Sequence, residues 1–156
     1  MSKGSLVSVA LILFLIAIPE SAHAQSRDSL RTDFGIELLG KGLLYSFSYQ
    51  QMLSSSFGVH ASLEAIGGSD ALVVAVPFGG TAYLVNKDGS PFVSGGIGVL
   101  LGSGEIDDLT GTLYGFLGPG FEYRANSGFV FRGTLYGLIR NDGFLLWPGL
   151  HVGYAF

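Results

Sequence analysis

One short segment of this chain invites a catalytic reading: His60-Ala61-Ser62-Leu63-Glu64. A histidine, a serine and a glutamate are the groups of a nucleophilic triad, in which the imidazole takes the hydroxyl proton and the acid orients the imidazole. They stand at alternate positions, so a strand puts all three on one face. Alternate strand residues lie roughly 6.5–7 Å apart, from a rise of ~3.3 Å per residue. His60 would reach Ser62 only through a favourable rotamer or twist. A hydrogen-bonded polar cluster is the plainer reading of His60, Ser62 and Glu64.

Other chemistry is weaker still. His60 and His151 with nearby carboxylates stand at no recognised metal-ligand spacing, so neither a metal nor another cofactor is expected. Glu105, Asp107 and Asp108 lack the spacing of a calcium loop and read as a solvated turn. Glycine pairs such as Gly95-Gly96 are followed by no basic residue or helix start, which a phosphate loop needs. The chain has no cysteine, which removes disulfides, thiolate metal sites and a lipoprotein anchor.

The elements that carry these polar residues read as β-strands. From Phe144 to Phe156 the even positions are Phe144, Leu146, Pro148, Leu150, Val152, Tyr154 and Phe156, all apolar. A period of two with one oily face is the signature of a strand. Seven further segments of this kind precede it: Thr32–Leu39, Leu43–Gln51, Phe57–Ile66, Ala71–Val85, Pro91–Gly102, Thr112–Arg124 and Phe129–Arg140. Turn signals separate them, with Asn86-Lys87-Asp88-Gly89 the strongest. Ala71–Val85 is apolar on both sides, and Pro77 with Gly79-Gly80 predicts a kink or bulge there.

Ahead of the strands stands an export signal. Lys3, the apolar run Leu6 to Ile18, Pro19 and Ala22-His23-Ala24 follow the order of a secretory signal peptide. The run is shorter than the ~20 residues of a spanning helix. The expected organisation is a signal peptide over 1–24 cleaved after Ala24, a loose polar lead-in over 25–31, and one β domain over 32–156. Losing Lys3 and Glu20 leaves the net charge at −4, which offers no basic footprint for nucleic acid.

The two strand faces differ in kind. The oily face of the first, second, third, seventh and last segments carries no charge. The other gathers Asp33, Glu37, His60, Glu64, Arg132, Arg140 and His151, to which the sixth adds Glu122 and Arg124. An eight-stranded interior barely holds ordinary side chains. Packing Tyr45, Phe47, Tyr49, Phe129, Phe131, Phe144, Tyr154 and Phe156 inside would overfill it. With the aromatics outward, they form a lipid-facing band, and small inward residues such as Gly35, Ser46, Ser48, Gly96 and Gly98 make room for charges that must be paired. The expectation is an all-β, eight-stranded antiparallel up-and-down transmembrane barrel. An ion-paired core fills its lumen, with Glu122 and Arg132 within diagonal reach across adjacent strands. Closure removes sheet edges, as lipid requires. A soluble periplasmic carrier of an apolar ligand is the competing architecture.

This whole-chain pattern resembles the small bacterial outer-membrane β-barrels, the eight-stranded OmpA/OmpX-like superfamily. Chains of this type end in an aromatic with another two residues earlier, a signal read by the barrel-assembly machinery; Tyr154 and Phe156 occupy those places. The glycine usual five residues from the end is His151 here. The resemblance implies a monomer in the outer membrane of a Gram-negative bacterium, with outer-membrane lipids and the assembly machinery as partners. It also implies periplasmic termini, with Gly40, Gly68, Asp107 and Asp142 on the exterior side. A structural or surface-interaction role without catalysis is expected. His60 and Ser62 loosely resemble the His-x-Ser of outer-membrane lipid A deacylases, which keeps a lipid esterase open as an alternative. The motif falls on the third strand, whereas that family carries it late in the chain, and Leu63 stands where an asparagine commonly follows the serine.

Overall fold

A computed structural model describes residues 26–67, 71–104, 111–141 and 143–156. The expected signal peptide, the acidic residues Glu105, Asp107 and Asp108, and Gly68 and Asp142 lie outside them. Eight strands close into one antiparallel barrel in chain order. They are β1 (Thr32–Leu39), β2 (Tyr45–Ser54), β3 (Phe57–Gly67), β4 (Ala71–Tyr83), β5 (Gly89–Gly104), β6 (Thr112–Arg124), β7 (Phe129–Arg140) and β8 (Gly143–Ala155). Short strand–turn–strand segments pair with their sequence neighbours because that costs least loop-closure entropy. β8 then returns to β1, with Asp33 facing Ala155 and Glu37 facing His151. Reciprocal backbone bonds between Thr32 and Phe156, at 3.0 and 2.8 Å, finish the seam at the end where β1 begins and β8 stops. We call this the terminal end, and the other the distal end.

The strict alternation decides which side chain goes where. Phe34, Ile36, Phe47, Tyr49, Phe129 and Phe131 are exposed around the outside. Their neighbours Asp33, Glu37, Ser46, Ser48, Gln50, Val130 and Arg132 are buried within. A one-residue slip would exchange these sets, so burial pins the register of every strand.

Three sequence-based expectations need correction. No kink or bulge marks Pro77: Ala61 faces Phe78 and Glu64 faces Ala75 in one register, and the β4–β5 ladder runs unbroken through Pro77 and Gly98. The register shift falls instead on β2, between Met52 and Ser54. β2 also starts at Tyr45, not Leu43. Gly40–Gly42 is a 3-10 turn folded over the lumen, and Leu43 leaves it at φ 90°, which carries its side chain off the outward face. Finally, the lead-in is ordered from Ser26: one helical turn, α1 (Ser26–Ser29), puts Arg27 into the barrel at 1% exposure.

The lumen has two halves. Toward the distal end, Ala75, Leu100, Tyr114, Phe116, Tyr136 and Leu138 form an apolar cluster, with Leu43, Val73 and Trp147 packed against it. Most of the ions occupy the terminal half, beside a smaller apolar cluster of Met52, Tyr83 and Phe92. This division explains why β4 is apolar on both sides, since its upper inner face meets the apolar half.

Candidate functional site: the ion-paired lumen

Glu122 lies at the centre of the terminal half. β6 and β7 place it directly opposite Arg132, a rung closer than the diagonal expected. Arg132 donates to Glu122 Oε2 from Nε at 2.9 Å and from Nη2 at 2.7 Å, and Nη2 also donates to Asp33 Oδ2 at 2.8 Å. Arg124 donates from Nε to Glu122 Oε1 at 3.2 Å and from Nη1 to the Leu30 carbonyl at 2.6 Å. Tyr83 donates its hydroxyl to Glu122 Oε2. On the far side of Arg132, His151 Nε2 lies 3.2 Å from Asp33 Oδ1. All are buried, and each charged group has an oppositely charged partner that offsets part of a desolvation cost of several kcal/mol per ion.

Arg27 joins this network from α1. Its Nε donates to Glu122 Oε1 at 3.1 Å, its Nη1 donates to the Lys87 carbonyl, and its guanidinium lies 4.4 Å from the Tyr83 ring centre. A cation stacked on an aromatic face and paired with a carboxylate is well placed for a dry site. Arg27 therefore caps the terminal end of the lumen.

A second, smaller group lies toward the distal end. Lys41, carried inward by the 3-10 turn, pairs with Glu37, whose Oε1 accepts the Tyr136 hydroxyl at 3.1 Å. The Tyr114 hydroxyl donates to the Lys41 carbonyl at 2.6 Å. Gly40 is required here: its φ is +78°, and a Cβ would come within 2.6 Å of Glu37 Oε1. Glu64 has no ion pair among the described residues; its Oε1 accepts the Leu44 amide at 3.0 Å and the Tyr45 amide at 3.4 Å.

The suspected triad is not assembled. His60 Nε2 lies 3.0 Å from Ser94 Oγ on β5, while Ser62 donates to Ser48 Oγ at 3.1 Å on β2. Thr81 completes the first group by donating to Ser94 at 3.2 Å. Glu64 faces the distal turn. Three residues on one strand thus make three separate sets of contacts, which is what their spacing allows.

Of the residues assigned to the interior, Asp33, Glu37, His60, Glu64, Glu122, Arg124, Arg132 and His151 are buried. Arg140 is not: it is exposed at the distal end of β7, where the alternation runs past the lumen. Two cations that the sequence left in a lead-in and a turn, Arg27 and Lys41, stand in the lumen instead. The buried aromatics Tyr83, Phe92, Tyr114 and Phe116 were not assigned inward either. A legible signal was present for them, because glycines face them: a Cβ at Gly98 would lie 2.1 Å from the Tyr114 ring, and one at Gly120 2.3 Å from Phe92.

No protein-family model and no curated protein matches this chain. Among solved structures, it is similar to the N-terminal β-barrel domain of OprF from Pseudomonas aeruginosa, at 14% identity and a TM-score of 0.60, covering 81% of this chain and 96% of that one. It is also similar to the Yersinia pestis outer membrane protein Ail, determined in a phospholipid bilayer nanodisc. That match has 16% identity and a TM-score of 0.50, over 80% of this chain and 97% of that one. What the chain has in common with both is the fold, a closed antiparallel barrel of eight strands.

Proposed function

We propose that this protein is a small barrel of the outer membrane of a Gram-negative bacterium, with a sealed, ion-paired lumen and a structural or surface-interaction role. One observation carries the reading: the barrel is inside-out. Large apolar side chains ring its exterior, with Phe47 at 52% and Phe131 at 42% exposure, while Glu122 and Arg124 are fully enclosed. Water would penalise such a belt and favour the reverse arrangement; lipid favours this one. Closure of the sheet is a second support, since unpaired strand edges are costly in hydrocarbon.

In this reading the signal over 1–24 directs export and is cut after Ala24, both termini are periplasmic, and the monomer contacts outer-membrane lipids. Tyr154 and Phe156 address it to the assembly machinery. The lumen passes no large solute, because guanidinium groups, aromatic rings and the distal turn occupy its axis. Catalysis is no part of the role, given that His60 and Ser62 have different partners.

A heat-modifiable gel shift of protein extracted from isolated outer membranes tests this. The folded barrel should migrate faster before boiling than after. Recovery in the soluble fraction without detergent, with no shift, would overturn the membrane reading in favour of a soluble carrier.

A further inference from the structure

The buried charges of the terminal half do not balance. Among the described residues, the guanidiniums of Arg27, Arg124 and Arg132 face two carboxylates, Glu122 and Asp33, and all five groups are buried. Arginine keeps its proton in a protein, so neutralising one of the three cannot remove the excess. His151, beside Asp33, adds to the excess when protonated and never subtracts from it. Lys41 and Glu37 cancel each other in the distal half. Glu64, the remaining buried carboxylate, is in that half too, held by the Leu44 and Tyr45 amides. Asp28 and Asp88 stand at the terminal rim, where water reaches and screens them. Three guanidiniums against two carboxylates leave one positive charge enclosed, and burial without a partner makes that expensive.

The hydrogen bonds locate the surplus. Arg27 and Arg124 are bonded alike, with Nε of each donating to Glu122 Oε1, at 3.1 and 3.2 Å. Nη1 of each donates to the main chain: to the Val85 and Lys87 carbonyls from Arg27, and to the Leu30 carbonyl from Arg124. Nη2 of each is buried and has no hydrogen-bond partner among the described residues. Arg124 Nη2 lies 3.8 Å from Asp33 Oδ2, beyond hydrogen-bond length, and that oxygen already accepts from Arg132. Two guanidiniums anchored on one carboxylate oxygen thus each keep an unused donor, at the end of the lumen that carries the unbalanced charge.

We propose that the terminal end of the lumen binds one monatomic anion, a halide such as chloride, held by Nη2 of Arg27 and Nη2 of Arg124. The occupant follows from what the two groups lack. A water molecule would accept from both nitrogens and leave the charge; a halide accepts from both and cancels it, in the stronger, charge-assisted kind of bond. Phosphate and carboxylate ligands are too large for a position enclosed by α1, Leu30 and the turn before β5. Arg27 belongs to α1, so the anion enters and leaves only when that turn of helix lifts. The ion then orders the segment ahead of β1 together with Glu122.

The test uses the full mature barrel refolded in detergent micelles, with sodium chloride replaced stepwise by sodium gluconate at constant ionic strength. One anion held by the folded state and released on unfolding should raise the folding equilibrium constant about tenfold for each tenfold rise in chloride above its dissociation constant. Bromide should replace chloride, and crystals grown in bromide should show an anomalous peak in contact with both Nη2 groups. Arg27→Gln removes one donor and the surplus charge together. It should still give the folded gel band, and its stability should no longer depend on chloride. Equal stability of the unaltered protein in chloride and gluconate would overturn the site. So would an undiminished chloride dependence in folded Arg27→Gln, which would place the anion elsewhere. If Arg27→Gln does not fold, the bromide crystals decide: a peak between the two arginines upholds the site, and water alone at that position overturns it.

Discussion

Arg132 and Glu122 face each other across one rung of the β6–β7 ladder, and both Nε and Nη2 of the arginine converge on a single carboxylate oxygen, Oε2. The other oxygen is taken by Arg27 and Arg124. One carboxylate therefore holds three guanidinium groups, and removing it leaves two strands and α1 with opposed cations. Glu122→Gln is expected to destabilise the barrel by about 3–5 kcal/mol, the cost of breaking a buried pair from one side. Urea unfolding in lipid vesicles measures it. Glu122→Gln with Arg132→Met should cost less than the sum of the two single changes, because the double change removes part of the unpaired charge.

Arg27 makes an independent prediction, because it reaches the lumen from outside the strands. Arg27→Ala should cost about 1.5–3 kcal/mol, the range for hydrogen bonds to charged groups. It should also free α1, so that hydrogen exchange at the amides of residues 27–30 rises to the rate of an open chain. An unchanged exchange rate would mean that Glu122 does not hold this segment. Arg27→Lys should recover only part of the loss, since an ammonium cannot keep the carboxylate, the carbonyl and the Tyr83 ring together.

The strand set and its two faces were readable because a period of two is a local property, and each outward aromatic reports it without reference to partners. The inward charges were readable for the same reason, and eight of the nine assigned positions are enclosed. Arg140 escaped because alternation says which way a residue points and not how far the lumen extends. Arg27 and Lys41 were missed for a different physical reason. They sit on irregular backbone, where no period exists, and they enter the lumen through long flexible stems. The distal turn depends on Leu39 at φ 58° and Leu43 at φ 90°, left-handed conformations that leucine seldom adopts and that composition does not announce. Nor does Pro77 bend β4; a residue without an N–H is accommodated where the opposing ladder simply omits its rungs.

The fit of Tyr114 over Gly98 is another test. A side chain at Gly98 meets the ring at 2.1 Å, far inside van der Waals contact, and the ring is held by its bond to Lys41. Gly98→Val should lose at least the ~1–3 kcal/mol typical of overpacking and lower the fraction that shows the folded gel band. Adding Tyr114→Ala should restore part of that fraction, although Tyr114→Ala alone is destabilising. If the double variant folds no better than Gly98→Val, the clash lies elsewhere.

Ser62 separates the structural role from an esterase. Its hydroxyl donates to Ser48 within the barrel, 3.1 Å away. Ser62→Ala should change stability by about 0.5–1.5 kcal/mol, the worth of one neutral hydrogen bond. The acyl content of lipopolysaccharide from cells carrying the variant, read by mass spectrometry, should match that of cells with the unaltered protein. Retention of an acyl chain only in the Ser62→Ala strain would reinstate the enzyme.

The terminal seam coincides with the proposed assembly signal. Phe156 exchanges both backbone bonds with Thr32, and Tyr154 sits between Phe34 on β1 and Phe129 on β7. The residues proposed as the address for the assembly machinery are thus also those that close the sheet. These two jobs separate by substitution. Phe156→Ala keeps the backbone bonds and removes the ring, so purified protein should still refold into vesicles, with a stability loss no larger than an outward aromatic facing lipid contributes. On the proposal that the assembly machinery reads the ring, the same variant should accumulate in cells as unfolded protein in the periplasm. Deleting Phe156 removes ring and bonds together and should impair both. Equal yields of Phe156→Ala and unaltered protein in the outer membrane would assign the ring to lipid contact alone.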